Sequence, residues 1–261
     1  MNANRHVAKQ ILFVGESWFK HTIHVKGFDS FSTSDYEEGA SVLLGLLEGA
    51  GFSVTYVRAH EISARFPDTQ EKLAAYDVVV LSDVGANSFL LTETTFVRSE
   101  RTVSRLALIA DYVEGGGGLV MVGGYMSFTG IDGKARYKMS ALANVLPVEM
   151  LDHDDRVEVP EGVRATIDIP GHDVLGGTPS EWPMLLGYNR VTPKGESEVV
   201  ARCGSDPLLV VGRAGRGHTV AFTSDLAPHW APPEFLAWSH YGRLWESILT
   251  WASGGDPAEV E

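Results

Sequence analysis

Three stretches of this chain carry residue types that could do acid–base or nucleophilic chemistry. Glu16 directly follows the apolar run Ile11-Leu12-Phe13-Val14-Gly15, and a carboxylate there has to be solvated, paired or functional. Asp225 and His229 stand four residues apart near the other end of the sequence. In an acid–base site Glu16 or His229 would serve as general base, with Asp225 as orienting partner. The third stretch, Gly123-Gly124-Tyr125-Met126-Ser127-Phe128, follows a strand-like Gly118-Leu119-Val120-Met121-Val122. Such a glycine-rich strand-to-turn elbow can lift a Ser or Cys above a sheet as a nucleophile. The raised position here is Tyr125, and a phenol that ionises near pH 10 replaces a thiolate poorly at neutral pH. The scaffold reads as enzyme-like, without its usual nucleophile.

Each residue also has a plainer reading. Asp83 and Asp225 are as apt to cap turns or helices, His229 sits in a proline-flanked loop suited to a structural hydrogen bond, and Tyr125 and Met126 could simply pack. His21 and His24 with Asp29 offer metal donors, but His-x-x-His outside a helix is a weak pattern, so no metal and no cofactor is assigned. His153-Asp154-Asp155 reads as a solvated loop. Gly115 to Gly118 has neither the ending of a P-loop nor the spacing of a dinucleotide fingerprint. Cys203, in or beside an apolar strand and far from the elbow, reads as a buried, inert thiol.

The elements that must position these residues alternate. Lys9 to Val14, Ser53 to Val57, Asp77 to Leu81 and Gly118 to Val122 predict strands. Between them, Glu37 to Gly49 and the stripe Val103, Leu106, Ala107, Ala110 and Val113 predict helices. This order predicts an α/β fold, a doubly wound, mostly parallel, flavodoxin-like sheet with right-handed crossovers. Residues 149–202 are richer in proline and acidic residues and read as an excursion of short strands and loops at the sheet's edge, within one domain spanning 1–261. Leu208 to Val211 and His218 to Thr223 predict an antiparallel pair, and Pro233 to Ser253 a final helix before a polar tail.

In open parallel sheets, ligands bind beyond the carboxyl ends of the strands. That rule gathers Glu16, Ser17 and Trp18, then Asp83 and Asn87, then Tyr125 and Ser127, then Asp225, His229 and Trp230, with the two tryptophans as walls. The chain has 261 residues, 44% of them hydrophobic, and a net charge of −13, which argues against nucleic acid or an anionic membrane as partner. One cysteine excludes an intrachain disulfide, and the polar start and the lack of a long apolar run predict a cytoplasmic protein.

With these segments in place, the chain resembles the class I glutamine amidotransferase-like superfamily, in particular its bacterial branch related to the trehalose-utilisation (ThuA-like) proteins. The resemblance rests on Ile11 to Trp18, Asp77 to Gly85, Gly116 to Phe128, Ala143 to Leu151, His172 to Pro183 and Gly215 to Trp230. Members with glutaminase activity carry a Cys at the elbow and a His and a Glu after the last strand. Tyr125 matches the cysteine; His229 lies near the expected histidine, with no Glu following at the right interval. The resemblance thus implies a small polar ligand, by ThuA-like analogy a carbohydrate-type molecule stacked on Trp18 and Trp230. It also implies an alternative, a non-catalytic binding or assembly module. A homo-oligomer is expected, with contacts from the segment Phe28 to Tyr36 and the aromatic last helix. An authentic glutaminase would need Cys203 to approach His229.

Overall fold

The computed structural model describes residues 8–255. The polar start before residue 8 and the tail after residue 255 lie outside the described residues. In chain order the strands are β1 (Gln10–Gly15), β2 (Ser17–Lys26), β3 (Asp29–Glu38), β4 (Ser53–Val57), β5 (Val78–Ser82), β6 (Gly118–Val122) and β7 (Val148–Met150). They continue with β8 (Arg156–Val163), β9 (Ala165–Ile167), β10 (Leu185–Asn189), β11 (Val191–Pro193), β12 (Glu198–Cys203), β13 (Asp206–Ala214) and β14 (Gly217–Phe222). The longer helices are α1 (Ser41–Gly49), α2 (Arg105–Glu114) and α3 (Tyr241–Ala252).

Eight strands form one mixed sheet in the order β4-β1-β5-β6-β14-β13-β12-β9. The first five run parallel, and β13, β12 and β9 extend the sheet antiparallel. Alternation along the strands sends Ile11, Phe13, Val120, Val122 and Phe222 to one face with α1 and α3. Leu12, Val14, Leu119, Met121 and Ala221 go to the other face with α2. Because both faces are covered, β1, β5 and β6 are almost wholly apolar, and each fully buried Val, Leu, Ile or Phe there contributes about 1.5–3 kcal/mol. Among the described residues no helix is long and apolar enough to cross a membrane.

The segment 149–202 splits its strands. β7 with β11 and β8 with β10 make two small antiparallel pairs, while β9 and β12 join the main sheet as its far edge.

Three local expectations are corrected. Glu37 and Glu38 end a strand, and α1 begins only at Ser41. Residues 17–38 are a ten-rung antiparallel hairpin, closed by Gly27 and Phe28 with Gly27 at φ +66°, a two-residue turn that glycine favours. Val103 lies outside α2 and is exposed, since Ser104 caps that helix by accepting from the Ala107 amide. The final helix is two: Pro233–Leu236 and α3 are separated by a bend in which Trp238 turns aside to pack on Trp182 and Phe235.

Candidate active site at the strand carboxyl ends

β1, β5, β6 and β14 are adjacent in the sheet, and the residues following them meet beyond their carboxyl ends. Glu16 follows β1 and Asp83 follows β5, both with left-handed backbone, at φ +49° and +41°. A non-glycine residue pays for that conformation only where its surroundings hold it. The Glu16 amide donates to the Ser82 carbonyl at 2.8 Å, and its carbonyl accepts from the Gly39 amide at 2.9 Å. The amide of Asp83 donates to Ser127 Oγ at 3.2 Å. Tyr125, the expected elbow residue, does not have a left-handed backbone. The strained strand ends are the two carboxylates.

The side chains of Glu16 and Asp225 are wholly buried. Glu16 Oε2 accepts from Ser82 Oγ at 2.5 Å, and Asp225 Oδ1 accepts from the Ala227 amide at 3.0 Å. Their other oxygens, Glu16 Oε1 and Asp225 Oδ2, are buried without a hydrogen-bond partner. Asp225 Oδ2 lies 3.9 Å from Nδ1 of the half-exposed His229, beyond hydrogen-bond range.

Burial first, then the charge of Asp83, pushes Glu16 up to about 8, with the Ser82 hydrogen bond opposing. Asp225 is raised well above the carboxylate range by burial and then by Glu16 and Asp83. Asp83 is raised by burial, against the Met126 amide and His229. Burial and neighbouring carboxylates thus favour the protonated forms of Glu16 and Asp225, and burial that of Asp83.

The elbow turn is fitted closely around this cluster. A Cβ on Gly124, at φ +144°, would stand 2.7 Å from Asp83 Oδ1, and one on Gly123 would stand 2.0 Å from the Thr223 carbonyl oxygen. The amide after Tyr125, on Met126, donates to Asp83 Oδ1 at 2.6 Å, and the Gly124 amide donates to Asn189 Oδ1 at 2.9 Å. Above lies a cluster of rings: Tyr125 stacked on His229 at 5.5 Å, with Trp18 tilted against His229 at 5.4 Å and Tyr125 tilted against Trp230 at 5.6 Å.

Of the residues singled out in the sequence, Glu16, Asp83, Tyr125, Ser127, Asp225, His229, Trp18 and Trp230 are brought together. Trp230 is buried beneath the rings, its indole donating to Glu158 at 3.0 Å, so it forms floor where a wall was expected. Ser17 turns away and accepts from the Ala59 amide. Asn87 is exposed, and no hydrogen bond or ring contact among the described residues joins it to the cluster.

His21 and His24 point to opposite faces of β2, as residues three apart on a strand must, and pair separately with Ser34 and Thr33. Among the described residues no group of His, Cys, Asp and Glu side chains could hold a metal ion. Cys203, on β12, is buried and its thiol is pushed up to about 12, first by burial.

Several contributors were not legible. Asp155, read as solvated, is buried and accepts from the Thr129 and Gly130 amides and Asn189 Nδ2, because a buried carboxylate needs such donors. Arg156 lies 4.9 Å over the Tyr125 ring. Tyr241, from α3, donates to the Leu226 carbonyl beside Asp225. The only signal for Asp155 was its place in an acidic, proline-rich stretch, which reads equally as surface.

The comparisons with known proteins fit this geometry. Two Salmonella typhimurium structures align with TM-scores of 0.90: the cytoplasmic protein STM1381, at 51% identity over 93% of this chain and 99% of that one, and the cytoplasmic protein STM3548, at 46% identity over 93% and 98%. A ThuA-like protein from Bacteroides uniformis shares the fold at TM-score 0.54 and 14% identity, over 98% of both chains. No curated protein is similar enough to match. Residues 10–254 match the family described as "Putative glutamine amidotransferase", and the chain belongs to that family, related in fold to ThuA-like proteins.

Proposed function

We propose that this protein binds or transforms a small polar molecule at the strand carboxyl ends, by acid–base chemistry and without an elbow cysteine. One observation carries the reading: Glu16, after β1, and Asp225, after β14, are fully buried at the same end of the sheet, and each keeps one oxygen without a partner. An unpartnered buried oxygen costs about 1–3 kcal/mol, an expense a purely structural site avoids. In this reading Glu16 exchanges the proton, burial and then Asp83 hold its affinity near neutral pH, Asp225 is its orienting partner, and His229 links the buried cluster to solvent.

The elbow supports the same conclusion. In acyl transfer the amide after the nucleophile stabilises the oxyanion; here that amide, on Met126, is taken by Asp83. Cys203 stands on a different strand with its thiol pushed up to about 12. Trp18, Tyr125 and His229, with Trp230 buried beneath them, offer ring faces that suit a polyhydroxylated, carbohydrate-type ligand, with Ser127 positioning Asp83 and with Ser17 and Asn87 at the margin.

We read the chain as one doubly wound, flavodoxin-like domain, on the parallel core with helices on both faces. We read its location as cytoplasmic, because its two Salmonella relatives are described as cytoplasmic proteins. Its net charge of −13 speaks against nucleic acid as partner.

Calorimetric titration with a panel of neutral sugars and polyols tests the site. Wild type and Cys203→Ser should bind alike, Glu16→Gln and Asp225→Asn should lose binding, and none should hydrolyse glutamine. Glutamine hydrolysis abolished by Cys203→Ser would overturn the reading.

A further inference from the structure

The β2–β3 hairpin is a two-stranded sheet of its own. Among the described residues it is anchored only at its base, where Trp18 packs on His229 and where Phe19 and Tyr36 pack on His60. Beyond that base both faces are open, and an isolated two-stranded hairpin is marginal in water.

Its two faces differ. Register places Trp18, Lys20, Thr22, His24 and Lys26 opposite Glu37, Asp35, Thr33, Phe31 and Asp29 on one face. There the charges answer one another: Lys20 pairs with Glu37, and Lys26 lies over Phe31, itself stacked on His24. The other face carries no charged residue above Glu38. On its β2 side stand Phe19, Ile23 and Val25, exposed by 54%, 71% and 71%. On its β3 side, directly across from His21, Ile23 and Val25, stand Ser34, Ser32 and Ser30.

We propose that this uncharged face is a dimerisation surface for a second copy of the same chain. A ridge of bulky apolar side chains beside a shelf of serines is self-complementary. Under a two-fold axis along the strand direction, β2 of one copy lies over β3 of the other, so each ridge meets a shelf. A face-to-face two-fold running across the strands would instead set ridge on ridge. The ends of the described chain do not supply the cover, because Lys9 and Ser253 bond to each other at the amino end of β1, opposite the hairpin's base.

Ten residues at about 3.3 Å each and a width of two strands give roughly 330 Å² per copy, about 660 Å² in all. Stable interfaces bury roughly 1,200 Å² or more, so a face of this size makes a weak, reversible dimer.

Sedimentation velocity on the full chain tests this. Wild type should pass reversibly from monomer to dimer across the micromolar range. Ile23→Asp, on the apolar face, should weaken the dimer by roughly tenfold or more, while Thr22→Asp, its neighbour on the charged face, should leave it intact. Both positions are exposed, so circular dichroism should show both variants folded. As a second measurement, mixing Ile23→Cys with Ser32→Cys and adding a short bismaleimide should cross-link the two variants to each other, with the buried Cys203 silent. Monomer at every concentration, equal weakening by both aspartates, or cross-linking no greater in the mixture than in either variant alone would overturn the proposal.

Discussion

Glu16 and Ser17 are neighbours in sequence, yet they begin two regions built on opposite terms. On one side is the floor of the crevice, where Glu16 and Asp225 are wholly buried and Asp83 half-buried at the ends of three central strands. On the other is a hairpin of twenty strand residues whose packing on the rest of the described chain lies at its base. The floor is rigid because five parallel strands and helices on both faces fix it, and that packing can carry desolvated carboxylates and left-handed backbone. The hairpin has only its own ladder and ring contacts. A structure can keep a costly site only where surrounding burial over-determines it, and it can keep an adaptable surface only where burial is scarce.

Three measurements would break or sharpen this contrast. The largest difference should appear in amide hydrogen exchange on dilute protein. Amides of β1, β5 and β6 should exchange only through global unfolding, while those between Phe19 and Tyr36 exchange through local opening, orders of magnitude faster. Equal protection in both regions would mean that the hairpin is part of the core.

The second measurement concerns pH. Glu16 is raised to about 8, so between its unfolded value near 4.5 and about 8 the native state holds a proton that the unfolded chain has released. Stability should therefore fall as pH rises through that window, by about 1.4 kcal/mol per unit for one such proton. Glu16→Gln cannot release that proton, so denaturant unfolding should give a shallower pH dependence and a variant at least as stable as wild type at pH 8. An unchanged slope would mean that Glu16 does not hold that proton in the native state. A hairpin substitution such as Thr22→Asp should leave the slope alone.

The smallest expected effect is steric. A Cβ on Gly39 would stand 2.8 Å from Glu16 Oε1 and 2.9 Å from the Ala227 Cβ, so Gly39→Ala should destabilise by about 1–3 kcal/mol. Calorimetry should show a melting temperature several degrees lower. A matching change at Gly27, at the hairpin turn, meets no atom nearby and should cost only the strain of its positive φ.

Much of this was written locally in the chain. The apolar runs of β1, β5 and β6, the stripes of the two-faced helices and the order of elements predict an α/β sheet, and with it the end at which Glu16, Asp83, Tyr125 and Asp225 gather. A buried strand requires continuous apolar sequence, and that signal survives without any partner being known. The hairpin was missed because Ser, Thr, His and charged residues dominate both its strands. Their pairing register separates the faces, and register belongs to two segments at once. Asp155 was missed for a related reason: its donors come from residues 129, 130 and 189.

The sequence by itself determined which residues could reach the strand ends. Tertiary structure alone decided that Glu16 and Asp225 each keep an unpartnered oxygen, that Asp83 takes the amide after Tyr125, and that Trp230 lies under the rings. Burial, hydrogen-bond satisfaction and charge repulsion are sums over neighbours from distant parts of the chain, and they exist only once those parts are packed together.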